Sequence, residues 1–271
     1  IKGDDPGFVD QFPSWCEHAS ISCEQLDPAH ARELEPHLSS ELEAAFLLPD
    51  ATVDPFRLAL ENVSQAQAAN QSVYRSHTEL LSFKLRHGAI SSVVCRDNRS
   101  KELLEIRPRQ VVNAGGAWAM RIAQLAGCDT IRLSYSKGTL LVSHDRLTSR
   151  VIHRLRPPSD GDILVPGGTV SILGTTSIRV DELDNLRPSV EEVDLNIREG
   201  AAMLPALAHA RYIRAFSRVR PLLQSAAAGD DRAATRGFEL NDHAEQLTNF
   251  CTITGGKLTT YRKMAKECVD T

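Results

Sequence analysis

The residues best suited to chemistry lie where a β-favouring run meets a helical one through a pair of glycines. One such junction is ITGGKLTTYRKMA, Ile253 to Ala265, preceded by LTNFCTIT and followed by Leu258, Tyr261, Ala265 and Cys268 at helical spacing. The other is QVVNAGGAWAMRIAQLAG, an apolar strand that breaks at Gly115-Gly116 and continues as a helix carrying Trp118, Ile122 and Leu125, with Gly127 closing it. Glycine lets a ligand approach the backbone, and a helix start offers unpaired N–H groups and the positive end of a dipole. Each junction is therefore a candidate anion site, and Lys257 adds a full charge at the second. The same spacing also fits a tight turn with a solvated lysine. Arg211, Arg214, Arg218, Arg220, Arg232 and Arg236 crowd the segment before that junction. An isolated arginine is most often a solvated surface residue, but Arg220 directly precedes Pro221 in an apolar strand.

Other chemistries are excluded by what the chain lacks. The six cysteines are scattered with no CxxC pair, which argues against a zinc or iron–sulfur site and for reduced, mostly buried thiols in a cytoplasmic protein. A net charge of −4 with no basic block gives no footprint for nucleic acid. No apolar run reaches spanning length, and no signal peptide is visible. No G-x-G-x-x-G occurs, so either no dinucleotide is used or the unit that seats its pyrophosphate lies upstream of Ile1. His144, His153 and His243 have no partner that the sequence identifies.

The elements that must position these residues follow from patterning. With 42% hydrophobic and 24% charged residues, a chain of 271 residues buries one large core or two smaller ones. FVDQFPSWCEHAS predicts a first helix, Asp27-Pro28 a short second one with Leu34 and Leu38 inward, and Asp54-Pro55 a third, lined by Phe56, Leu60, Val63 and Ala66 and ended at Asn70. VYRSHTELLSFKLR, AISSVVCR and ELLEIR read as an antiparallel meander leading into the first glycine junction. Between the junctions, IRLSYSKGTLLVSH, RVIHRLR, DILVP, TVSILGTTSI and YIRAFSRVRPLL read as strands, and Ser189 to Leu204 as a capped helix with Val193, Ile197, Ala201 and Leu204 inward. The pattern is an α/β layer interrupted by a mostly antiparallel α+β insertion.

In their order and spacing, PDATVDPFRL, VVNAGGAWA, KGTLL, ILVPGGTVSILGTTS, SRVRPLL and ITGGKLTTYRKMA resemble the FAD-dependent glycerol-3-phosphate dehydrogenases, most of all the catalytic subunit of the bacterial anaerobic type. The resemblance spans nearly the whole chain. It implies a partial D-amino-acid-oxidase-like FAD-binding fold with an antiparallel-sheet substrate domain. The domains would be a substrate-domain segment with connecting helices (1–50), an FAD-domain segment (51–127), the substrate domain (128–224) and a return to the FAD domain (225–271). It also implies that this chain is the middle portion of an enzyme, begun downstream of the pyrophosphate-binding turn and without the cysteine-rich C-terminal region, so that the piece alone neither retains FAD tightly nor turns over.

The implied reaction is oxidation of sn-glycerol 3-phosphate to dihydroxyacetone phosphate, with electrons passed to quinone directly or through electron-transfer and membrane-anchor subunits. The implied location is the cytoplasm, peripheral at the inner membrane face. By resemblance Arg220, Arg236, Lys257 and Thr175 meet substrate, and Gly115, Gly116, Gly255, Gly256 and Leu258 meet the cofactor. Three cations suit a phosphate dianion, and arginine adds a planar fork that pairs with its oxygens. Some members of the family carry a histidine just after the K-G-S segment, where this chain has Thr139 and Leu140. The general base therefore stays unassigned, the candidates being a residue upstream of this chain and Lys257 beside the two arginines. Two alternatives share parts of this pattern: a flavin-dependent amino-acid or 2-hydroxy-acid oxidoreductase, for which one arginine suffices, and a cofactor-free scaffold or binding subunit.

Overall fold

Two of the helices begin where a capping carboxylate meets a proline. Asp5 accepts from the Gly7 N–H at 2.9 Å ahead of α1 (Pro6–His18), and Asp27 accepts from the Ala29 N–H at 2.8 Å ahead of α2 (Pro28–Leu34). Proline at the first helical position loses no hydrogen bond, and the carboxylate satisfies a donor the helix leaves open. The computed structural model describes residues 1–70, 72–223 and 237–271. Among these residues no helix is long and apolar enough to cross a membrane.

The chain divides into two compact units, Ile1–Asp54 with Lys137–Val219, and Pro55–Ser136 with Arg220–Thr271. The first opens with α1, β1 (Glu24–Leu26), α2 and β2 (Ala45–Leu47), and β1 and β2 pair antiparallel. The chain then runs through α3 (Pro55–Asn70), β3 (Thr78–Arg86), β4 (Ala89–Asp97), β5 (Leu103–Ile106), β6 (Val111–Asn113), a 3-10 turn (Gly116–Trp118) and α4 (Ala119–Leu125). β7 (Leu133–Ser143) leads back to the first unit and is followed by β8 (Ile152–His153), β9 (Ile163–Gly167), β10 (Val170–Gly174), β11 (Ile178–Val180) and α5 (Val190–Met203). β12 (Tyr212–Leu223) leads to the closing part of the second unit: β13 (Phe238–Asp242), β14 (Phe250–Gly255), a 3-10 turn (Leu258–Thr260) and α6 (Tyr261–Asp270).

The first unit is built on an antiparallel sheet in the order β11-β7-β10-β9-β8, with β12 also paired to β7. Leu141, Leu164, Leu173, Met203, Leu204 and Leu207 form its buried core, with Val193 and Ile197 of α5 packed against them. Alternate residues of the strands and one stripe of α5 thus fill a single apolar layer. TVSILGTTSI, expected as one strand, is two, because the chain leaves the ladder between Gly174 and Ile178. RVIHRLR shortens to two strand residues for an electrostatic reason. Arg154 turns to Asp4 at 2.7 Å, and Arg156 turns to Asp162 at 2.7 Å and to Glu199 at 3.0 Å.

The second unit contains the meander β3-β4-β5, antiparallel throughout as its alternation predicts, and a three-stranded sheet in the order β13-β14-β6. Phe250 is fully buried, with its ring centroid 5.8 Å from that of Phe83 on β3. The Asn249 side chain takes the place of a strand neighbour for Ile90, accepting from its N–H at 2.8 Å and donating to its carbonyl at 3.0 Å. The face of α3 expected to be inward is open instead, with Phe56 79% and Leu60 66% exposed. Trp118 and Leu125, carried by the segment after the first glycine junction, are half-exposed.

Candidate functional site

β14 and β6 run parallel and adjacent, with Phe250 opposite Val111, Cys251 opposite Val112 and Thr252 opposite Asn113. The two glycine junctions therefore leave the same end of neighbouring strands, although they lie far apart in sequence. In α/β sheets ligands bind outside the carboxyl ends of parallel strands. At the first junction Gly116 has φ +58°, and a Cβ there would meet nothing within 4 Å. The 3-10 turn that starts at Gly116 leaves its first N–H groups without partners inside the turn. At the second, Gly255 has φ +77°, and a Cβ would come within 2.6 Å of the Gly237 carbonyl oxygen and 3.2 Å of Leu223. Only glycine fits there.

Beneath the junctions runs a chain of buried polar groups that the sequence reading did not identify. The Asn113 side chain, 4% exposed, donates to the Ala119 carbonyl at 2.8 Å and to Thr252 Oγ1 at 3.2 Å, while its Oδ1 accepts from the Gly115 N–H at 3.1 Å. Thr252 Oγ1 pairs in turn with His243 Nε2 at 2.9 Å, and the His243 ring stacks on Phe250 at 4.8 Å. Burial holds the His243 pKa below its ordinary value, with Asp242 opposing, so the ring is neutral at pH 7. Asn113 precedes the glycines by two residues, which is a signal for a side chain folding back on its own turn. Nothing local in the sequence marks Thr252 or His243 as its partners.

The residues expected to bind ligand divide between the units. Gly115, Gly116, Gly255, Gly256, Leu258, Lys257 and Arg220 belong to the second unit, and Thr175 to the first. Arg236 lies outside the described residues. Lys257 is exposed and stands ahead of a 3-10 turn, while α6 begins only at Tyr261. The expectation that this junction runs straight into an α-helix is thus corrected. Thr260 explains the difference: its hydroxyl accepts from the Lys257 N–H at 3.0 Å and donates to the Lys257 carbonyl at 2.9 Å, closing a tight turn. The Gly256 N–H donates to the Gly237 carbonyl at 2.7 Å. What this turn offers a ligand is the backbone from Leu258 onward and the Lys257 ammonium.

The first unit holds a second buried polar centre. Glu192, 2% exposed, accepts from Lys137 Nζ at 2.7 Å, Thr139 Oγ1 at 2.8 Å, Thr176 Oγ1 at 2.9 Å and the Ser189 N–H at 2.9 Å. Burial pushes this carboxyl upward, but the bonds from Lys137, Ser189, Thr139 and Thr176 outweigh it and hold the pKa below the ordinary value. Thr139 also pairs with Ser217 on β12 at 2.8 Å. One carboxylate thus joins α5, β7 and the break between β10 and β11 that carries Thr175, and Thr139 extends the set to β12. The sequence predicts Ser189 to Leu204 as a capped helix without singling out Glu192; the structure shows a capping box between Ser189 and Glu192, and the Ser189-x-x-Glu192 spacing is the signal that could have found it. Among the described residues no cluster of His, Cys, Asp or Glu is arranged to hold a metal ion.

Neighbouring parallel strands that end in glycine turns at the same edge are the arrangement of an α/β nucleotide-binding fold. The chain belongs to the FAD-dependent oxidoreductases of the D-amino-acid-oxidase type, whose family pattern it matches over residues 5–262. Over its whole length it is 43% identical to one subunit of the anaerobic glycerol-3-phosphate dehydrogenase of Escherichia coli (strain K12), covering 50% of that protein. It is 37% identical, over 94% of its length, to the corresponding subunit of the Haloferax volcanii anaerobic glycerol-3-phosphate dehydrogenase, covering 45% of it. The chain spans about half the length of these relatives. Its fold is similar to that of the glycerol-3-phosphate dehydrogenase of Bacillus halodurans complexed with FAD, with a TM-score of 0.73 and 26% identity over 92% of this chain and 51% of that one. The glycine oxidase of Bacillus cereus, at 17% identity and a TM-score of 0.73 over 96% of this chain and 65% of that one, shares the fold alone.

The residues present fit the family's cofactor. The backbone at Gly116 is open, and the buried Thr254 hydroxyl, one residue before Gly255, has no hydrogen-bond partner among the described residues. Unused donors at a strand end, with no side chain in the way, are what a polar, planar group with a phosphate chain requires.

Proposed function

We propose that the protein to which this chain belongs oxidises sn-glycerol 3-phosphate to dihydroxyacetone phosphate and passes the electrons to quinone, directly or through partner proteins at the inner face of the cytoplasmic membrane. The observation that carries this reading is the 43% identity, along the entire chain, to part of an anaerobic glycerol-3-phosphate dehydrogenase. In this assignment the unit containing both glycine junctions is the FAD-binding part, and the unit built on the antiparallel sheet is the substrate-binding part. FAD, when bound, supplies the acceptor for the hydride on C2 of the alcohol.

The chain's own residues bind and orient. Gly115 and Gly116 admit the cofactor to the backbone, and Gly255, Gly256 and Leu258 form the corresponding edge at the second junction. Arg220 offers the phosphate its planar fork, while Arg236 and Lys257 add charge. An exposed ammonium such as that of Lys257 suits anion binding rather than proton removal. Thr175 lies half-buried in the break that Glu192 fixes, and its role is to contact the substrate carbons or hydroxyls. Placing the reacting carbon over the cofactor is the larger part of the catalytic task, since orientation alone is worth on the order of 7–11 kcal/mol. The test is steady-state turnover of the full-length protein with a soluble quinone. Glycerol 3-phosphate is expected to be oxidised far better than glycine, proline or lactate, and preference for any of the last three overturns the assignment.

A further inference from the structure

The buried side chain of Asn113 uses its amide oxygen and both amide hydrogens on the two junctions. Its amide oxygen takes the Gly115 N–H at 3.1 Å, one amide hydrogen goes to the Ala119 carbonyl at 2.8 Å and the other to Thr252 Oγ1 at 3.2 Å. The first two bonds span the Gly115–Ala119 turn, and the third fastens that turn to β14, the strand that ends in the second junction. The orientation of the amide is fixed by this set, because a reversed amide sets oxygen against the Ala119 carbonyl and N–H against the Gly115 N–H. Thr252 is held by His243, whose ring is kept in place by stacking on Phe250. Gly116 has open space where a side chain would be, and inside the turn the Trp118 N–H donates to the Gly115 carbonyl at 3.0 Å and the Ala119 N–H to the Gly116 carbonyl. The amide below the turn brackets it at both ends and anchors it to β14.

We propose that Asn113 is the positioning residue of the flavin site, setting the Gly115-Gly116 backbone at the distance and angle that the cofactor requires and coupling the two junctions through Thr252. The inference rests on the FAD reading above. It assigns a role to a residue that itself need not touch the cofactor.

The test uses the full-length holoprotein and measures its dissociation constant for FAD by flavin fluorescence. Asn113→Ala removes all three bonds and is expected to weaken FAD binding roughly tenfold to a hundredfold, the equivalent of one or two such bonds. Thr252→Val is expected to weaken it less, and Thr252→Ser, which keeps the hydroxyl, to restore wild-type affinity. Asn113→Asp provides a readout that loss of fold does not mimic. Protonated, the acid can donate to the Ala119 carbonyl and accept from the Gly115 N–H; ionised, it sets a charge against that carbonyl. Its FAD affinity should therefore fall as pH rises through the carboxyl's ionisation, while wild type stays level over the same range. The neighbouring titratable groups are His243, reached through Thr252, Asp242 beside it, Cys251 on β14 and Arg121 on α4. Burial lowers His243 and raises Cys251, moving both away from a neutral-pH transition. Wild-type affinity in Asn113→Ala, or a pH-independent Asn113→Asp, overturns the proposal and leaves the FAD reading standing. A wild-type protein that binds no FAD overturns both.

Discussion

At Arg220 the side chain's geometry matters as much as its charge. A phosphate dianion accepts two parallel N–H bonds from one guanidinium, and an ammonium offers a single moving contact. Arg220→Lys should lower kcat/KM for glycerol 3-phosphate by about ten- to a hundredfold, the equivalent of one charged hydrogen bond of about 1.5–3 kcal/mol. Glycerol, which lacks the phosphate, should be affected much less, and comparing the two substrates in the full-length enzyme checks this. Glu192 makes a different kind of demand. Replacing it by glutamine leaves the Lys137 ammonium, 13% exposed, without its carboxylate. That loss should cost about 3–5 kcal/mol of stability at pH 7. The Glu192 pKa is depressed in the folded state, so its contribution is complete above the ordinary value of 4.5 and is lost as pH falls through the depressed one. The difference in Tm between wild type and Glu192→Gln should therefore close as the solution is acidified below that value. A difference that stays constant with pH would mean that the carboxylate's charge is not what stabilises this unit.

The elements show which of the glycines hold the fold and which leave room. Gly255→Ala drives a methyl group against the Gly237 carbonyl at a left-handed backbone position, so the sheet β13-β14-β6 should lose several kcal/mol or fail to form. Gly116→Ala, with open space around it, should cost only the left-handed penalty of about 1–2 kcal/mol while still weakening FAD binding. Chemical denaturation alongside flavin titration separates the two outcomes. Much of this architecture was legible in the residues. Alternation gave the meander, Asp-Pro pairs gave helix starts, and Ser189 gave the capped start of α5, because each of these signals is local. The polar centres were legible only in part. Asn113, Thr252 and His243 lie on three segments, and their meeting depends on the parallel pairing of β6 with β14, a long-range register that no local pattern encodes. Thr260 was read as part of a helix, but its hydroxyl competes for the Lys257 backbone and tightens the turn. The Phe56 and Leu60 periodicity correctly gave a helix and wrongly implied a buried face, since spacing reports amphipathicity and not the presence of a covering element.

For the molecule as a whole, the open face of α3 bears on how the chain behaves by itself. Produced alone, residues 1–271 should fold the antiparallel unit but self-associate through α3. Light scattering should detect the association, and Phe56→Ser with Leu60→Glu should reduce it without altering the circular dichroism. A stable monomer at all concentrations would contradict this expectation. Oxidation of glycerol 3-phosphate by the flavin is tested most directly by anaerobic reduction of the flavin in the full-length protein. Stopped-flow mixing with glycerol 3-phosphate should bleach the oxidised flavin absorbance completely within a single turnover and yield one dihydroxyacetone phosphate per flavin. Flavin that stays oxidised with glycerol 3-phosphate but bleaches with an amino acid or a 2-hydroxy acid would contradict the account.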